Sequence, residues 1–124
     1  WQHVLEPLSG YLLLSEKLYS EGSMFSEAWN FGPDDIDAKP VSWIASHLCS
    51  LAPDASWQIE NTKQPYEANC LKLDSSKAKI KLGWVPRWNL ETALKKTKDW
   101  HDAWRIKDNM AAVTSGQIKA YTNS

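Results

Sequence analysis

The sequence predicts an α/β chain dominated by helices with a few short strands. Three observations carry this: apolar residues recur at helical spacing in long segments, capping and stop residues bracket those segments, and only short aromatic or alternating runs lie between them. Leu5, Leu8, Leu12 and Tyr19 share one face, with Pro7 near the first turn and Gly22 past the last, which predicts a helix over residues 6–20. Ala28 to Phe31 is short, aromatic-rich and closed by Gly32-Pro33, so it is expected to be a buried strand running into a turn. Asp34, Asp35 and Asp37 follow as an acidic loop, and Val41, Ile44, Leu48 and Leu51 return to helical spacing over residues 41–51. Pro40 suits the position before that helix, and Pro53 stops it.

Ser56 to Glu60 alternates enough to predict a strand, Asn61 to Ala68 reads as a polar, exposed loop, and Cys70 to Leu73 is a weaker strand candidate. Asp74 then caps the amides of a short helix over residues 75–82, around which Lys77, Lys79 and Lys81 are distributed. Gly83 can take the left-handed conformation that ends it, Trp84 packs, and Pro86 prevents the helix from resuming. Asn89 caps a long helix on which Leu90, Ala93, Leu94, Thr97, Trp100 and Trp104 share a face, and Glu91 and Lys95 are spaced to pair. Lys95, Lys96, Lys98 and Lys107 form its solvated side, and Thr114 with Gln117 reads as a capping box for a last short helix through Tyr121.

The 124 residues bound the chain at one domain or part of one. Fourteen basic against fifteen acidic side chains, net −1, leave no electrostatic surplus for gripping a phosphate backbone, so nucleic acid is not an expected partner. The longest apolar run, Tyr11 to Leu14, is far short of the roughly 20 residues of a membrane span. Cys49 and Cys70 have no disulfide-framework spacing, which favours reduced thiols and a cytoplasmic setting. The abrupt opening at Trp1 reads as a cut or processed piece. Eight tryptophans are the compositional oddity, and core or interface packing is their plainest use.

Asp74, Ser76, Lys77, Leu82, Gly83, Trp84 and Pro86 together spell Asp-x-Ser-Lys-x-x-x-x-Leu-Gly-Trp-x-Pro. This pattern resembles a signature of the extended short-chain dehydrogenase/reductases that act on nucleotide sugars. The segments Trp1 to Leu12, Ala28 to Asp35 and Pro86 to Leu90 narrow the likeness to the C-terminal third of that family's CDP-sugar 4,6-dehydratases. The resemblance implies that residues 1–124 form a C-terminal substrate-binding region, with residues 1–32 packing on a Rossmann domain that lies N-terminal in the parent and is missing here. It also implies NAD as the parent's cofactor, a CDP-sugar as substrate, and oxidation at sugar C4, loss of water across C5 and C6, and return of the hydride to C6. The family's Tyr-x-x-x-Lys pair is missing: Tyr11 is followed four on by Ser15, Tyr19 by Ser23 and Tyr66 by Cys70. The five glycines are scattered singly, so there is no Gly-rich turn for a dinucleotide, and no catalytic residue or NAD contact is expected within the chain.

The resemblance singles out four substrate contacts. Trp1 aligns with an aromatic residue near the phosphates and ribose, and Asn30 is similar to an asparagine at a strand end that contacts the pyrophosphate. Glu67 stands where relatives place a group that accepts hydrogen bonds from ribose hydroxyls, a task that suits a carboxylate. Gln64 occupies the position of a phosphate-binding arginine, a departure that leaves a neutral amide where charge-assisted bonding is expected. Packing of the Trp29 segment competes with the ligand role of Asn30, and plain loop exposure with that of Glu67. The three aspartates lack the twelve-residue calcium loop and its closing glutamate, and His3, His47 and His101 lie too far apart for zinc; His3 is expected to orient or pack. Two rivals remain: a stand-alone binding or oligomerisation module, and a piece of a related epimerase or of a dehydratase using another base. Without its parent's sheet the first helix and the Trp29 segment would keep orphaned apolar faces, so the isolated chain is expected either to associate with itself as a homo-oligomer or to leave these segments in a non-parental arrangement.

Overall fold

The computed structural model describes residues 1–60 and 72–124. Four α-helices carry it: α1 (Leu5–Glu21), α2 (Val41–Ser50), α3 (Leu90–Arg105) and α4 (Met110–Thr122). Two 3-10 turns, Gly22–Phe25 and Asp35–Asp37, and a wide π-turn, Ala78–Leu82, complete the helical content. Gly22 ends α1 at φ 73°, and its amide donates to the Leu18 carbonyl. Gly83 ends the Ala78–Leu82 turn at φ 68°, as its position before Trp84 predicts. Asp74 opens that unit by accepting from the Ser76 amide at 2.9 Å, and Asn89 caps α3 by accepting from Thr92 N at 2.9 Å. Replacing Asn89 with alanine is expected to cost about 1 kcal/mol in urea unfolding, with the slope unchanged.

Among the described residues there are no strands, which corrects the expectation for Ala28–Phe31 and Ser56–Glu60; of the third candidate, residues 70 and 71 lie outside the described residues. A strand exists only through its neighbour's ladder, and here side chains take the carbonyls instead. Lys77 Nζ donates to Ala28 O at 2.9 Å, Gln2 Nε2 to Phe31 O at 2.8 Å, and Ser75 Oγ to Gly32 O at 3.4 Å. Residues 56–60 run without a ladder beside α2, where Trp57 Nε1 donates to Ser46 Oγ at 3.2 Å.

Two further expectations fail for local reasons. Lys95 pairs with Asp99 at 3.0 Å, toward the C-terminus, instead of with Glu91, and Lys98 pairs with Asp102 in the same sense. Thr114 and Gln117 are no capping box, because α4 begins earlier, at an Asn109 cap that accepts from Ala112 N at 3.2 Å. Both side chains face α3: Thr114 Oγ1 accepts from Trp100 Nε1 at 3.1 Å, and Gln117 Nε2 donates to Lys96 O at 2.7 Å.

The core forms where α1 meets the Ala78–Trp84 unit. Phe25, Phe31, Ala78, Leu82 and Trp84 are buried together, with Leu13, Leu14 and Trp29 packed against them. Phe31 stands edge-on to Trp84 at 5.2 Å and to Tyr11 at 5.5 Å, geometry that suits the ring quadrupoles. A second aromatic group, His3, Trp88 and Tyr121, joins the start of α1 to the end of α4. Only Trp84 and Trp88 of the eight tryptophans are in the buried core; Trp1, Trp57, Trp100 and Trp104 stay exposed. Outward-facing α1 leaves Leu8, Tyr11, Leu12 and Tyr19 exposed.

Between the two aromatic groups lies Glu6, fully buried at 0 % exposure. Its carboxylate accepts from Arg87 N at 3.0 Å, Trp88 N at 2.8 Å and Tyr121 Oη at 2.7 Å. Arg87 Nη1 in turn donates to the last carbonyls of α4, Tyr121 O and Thr122 O, where its charge also suits the helix dipole. Burial, helped by the Glu6 carboxylate and opposed by Ser9 and Arg87, pushes the Tyr121 hydroxyl up to about 12. The folded chain therefore holds this proton where the unfolded chain, at about 10, has lost it, so stability is present below pH 10 and declines as pH rises toward 12. Thermal unfolding measured from pH 9 to 12 is expected to show that decline, and Tyr121→Phe is expected to flatten it.

Candidate functional site

The extended stretch through Asn30 meets the start of the capped helical unit, and this junction is the candidate site. Asn30 Nδ2 donates to Asp74 O at 3.3 Å, and a Cβ on Gly32 would lie 3.0 Å from Leu73 Cβ, so a larger residue there would require Leu73 to give by a few tenths of an ångström. Beside the junction opens a cleft of about 280 Å³, walled by Pro33 and Asp35 on one side and by Lys72, Asp74, Ser76 and Lys79 on the other. Its polar groups mix cationic donors, hydroxyls and carboxylates, a set that suits a hydroxylated or phosphorylated ligand. The amide and hydroxyl of Ser76 hold the Asp74 carboxyl below its ordinary value, and bonds from Lys77 and Lys81 do the same for Glu27.

The acidic loop is tied down by lysines of the capped unit. Asp35 accepts from Lys72 at 3.1 Å, and Asp34 pairs with Lys79. Among the described residues no three His, Cys, Asp or Glu side chains are grouped to hold a metal.

Asn30 and Trp1 are each one residue in sequence from the bond between the Gln2 amide and the Phe31 carbonyl. Trp1 is exposed. Gln2 Oε1 is buried without a hydrogen-bond partner among the described residues. Glu67 and Gln64 lie outside the described residues. His3 packs, as expected: it is buried edge-on to Trp88 at 4.9 Å, its Nδ1 accepts from Leu5 N at 3.3 Å, and burial lowers its pKa.

Lys72, which lines the cleft, is not among the site residues the sequence singles out. Its signal was present, two positions before the capping Asp74 and therefore beside the helix start, but an isolated lysine in a strand-like run draws no attention. A second groove, of about 320 Å³ and mostly apolar, lies between the start of α1 and the α3–α4 pair, lined by His3, Val4, Leu5, Trp100 and Ile118. No helix among the described residues is long and apolar enough to cross a membrane.

No family model matches the chain. The chain is 47 % identical, over its whole length, to the CDP-glucose 4,6-dehydratase of Salmonella typhimurium. It spans 35 % of that protein and fits a C-terminal portion of it.

Proposed function

We propose that the chain is the substrate-binding C-terminal portion of an NAD-dependent CDP-glucose 4,6-dehydratase, a lyase that converts CDP-glucose to CDP-4-keto-6-deoxyglucose. The observation that carries this reading is the 47 % identity over the whole chain to a protein of that name. The folding of the Asp74–Pro86 pattern into a capped unit docked on Asn30 is consistent with it. NAD and the catalytic groups are assigned to the preceding part of the parent, because no residue of this sequence forms a dinucleotide turn or a Tyr-x-x-x-Lys pair. The chain's own work is to bind and orient. Asn30, with one N–H on Asp74 O, keeps a second donor for the pyrophosphate, and Trp1 offers an aromatic face beside it. Glu67 is assigned to the ribose hydroxyls, and Gln64 to a weaker, uncharged phosphate contact. This places the parent in nucleotide-sugar metabolism, making deoxysugars of the kind used in lipopolysaccharide O-antigen, in the cytoplasm.

The full-length protein is expected to release a 4-keto product from CDP-glucose and not from UDP-, GDP- or dTDP-glucose, with no net change in NADH absorbance. Asn30→Ala is expected to raise KM for CDP-glucose about tenfold, the value of one hydrogen bond to a charged group. Turnover of another base's sugar in preference to CDP-glucose would overturn the assignment.

The same reading assigns the outer face of α1, with Leu8, Leu12 and Tyr19 exposed, to an intramolecular contact with the preceding Rossmann domain. The 124-residue chain alone is therefore expected to self-associate in sedimentation and to turn over no CDP-glucose. A monomer with no affinity for an apolar dye would contradict this.

A further inference from the structure

Four lysines from one short unit grip both ends of the extended stretch that presents Asn30. At the near end Lys77 pairs with Glu27, donates to Ala28 O at 2.9 Å and lies 4.6 Å over the Trp29 ring, while Lys81 reaches Glu27 at 3.3 Å. At the far end Lys79 pairs with Asp34, and Lys72 with Asp35 at 3.1 Å. Between these ends stand two longer bonds, Asn30 Nδ2 to Asp74 O at 3.3 Å and Ser75 Oγ to Gly32 O at 3.4 Å, and the shorter one from Gln2 Nε2 to Phe31 O at 2.8 Å. Among the described residues this stretch has no strand partner, so nothing like a β-ladder fixes its register.

We infer that Glu27 and Asp34, through Lys77, Lys81 and Lys79, are positioning residues that set the orientation of the Asn30 side chain toward the substrate. The inference rests on the substrate-contact reading of Asn30. Each pair is partly solvated, and such pairs are individually weak. Their number and their placement at both ends let them act together on a segment that is held at its middle by the buried Phe31 and has no β-ladder. Neither Glu27 nor Asp34 is asked to touch the ligand, so their effect must pass through Asn30.

The test uses the full-length protein with the double variant Glu27→Gln/Asp34→Asn and two readouts. Amide hydrogen exchange over residues 28–35 is expected to quicken without ligand, while exchange in α3 and α4 stays unchanged. KM for CDP-glucose is expected to rise roughly three- to tenfold with kcat within about twofold, and this rise is expected to vanish when the double variant is placed in an Asn30→Ala background. Unchanged exchange over 28–35 overturns the inference, as does a KM effect that persists without Asn30. If the unsubstituted protein does not act on CDP-glucose, the functional reading falls, and the exchange result alone then decides whether the lysines hold the segment.

Discussion

Replacing Glu6 with alanine is expected to destabilise the fold by about 3–5 kcal/mol, the largest loss available from any one side chain here. The carboxylate is fully buried and holds two backbone amides, Arg87 N and Trp88 N, together with the Tyr121 hydroxyl. Alanine would leave the two amides without their acceptor in a site from which water is excluded, each such orphan costing about 1–3 kcal/mol, while the Tyr121 hydroxyl keeps only its contact with Ser9 Oγ at 3.0 Å. The loss would be structural as well as energetic, because these bonds tie the start of α1, the turn before α3 and the end of α4. Urea unfolding measures it directly. Glu6→Gln retains acceptor capacity and is expected to lose less, and a loss below about 1 kcal/mol for Glu6→Ala would mean that the site is wetter than this packing allows.

The second large effect belongs to Gly10→Ala. A methyl at this position would lie 2.3 to 2.6 Å from three atoms of the Phe31 ring, including Cγ at the root of the side chain. Rotation of the ring cannot relieve a clash at its root, and Phe31 is hemmed in by Tyr11 and Trp84. The expected cost is about 2–3 kcal/mol, at the upper end for overpacking, seen as a lower thermal midpoint. Because Phe31 follows Asn30 directly, the same variant of the full-length protein is also expected to raise KM for CDP-glucose. Wild-type stability in Gly10→Ala would show that α1 can move away from the ring.

Legibility in the sequence tracked how local each cause is. Caps and stops were readable at Asp74, Gly83 and Asn89, because each acts through bonds within a few residues of itself. Periodicity placed α1, α2 and α3 to within a residue or two at most ends. The strands were not readable as absent, since Ala28–Phe31 has strand composition and lacks only a neighbour, a property of the rest of the molecule. Glu6 was invisible for the same reason: an acidic residue in a first helical turn looks solvated, and its burial is decided by Trp88 and Tyr121, more than eighty residues away. Thr114 and Gln117 have capping-box spacing, yet the earlier Asn109 cap left them free to face α3. Of the candidate site, Asn30 and Trp1 were singled out by likeness to a family pattern, and the lysine grip on residues 27–35 depends on the capped unit lying along them, which is not local in sequence.

The most direct test of the claim that this chain holds the sugar nucleotide is amide hydrogen exchange on the full-length protein with and without CDP-glucose. The account predicts slowed exchange over residues 28–32 and 72–76, where Asn30 meets Asp74, and a smaller response to UDP-glucose at equal concentration. Protection confined to other parts of the protein, with these two stretches unchanged at saturating CDP-glucose, would contradict it.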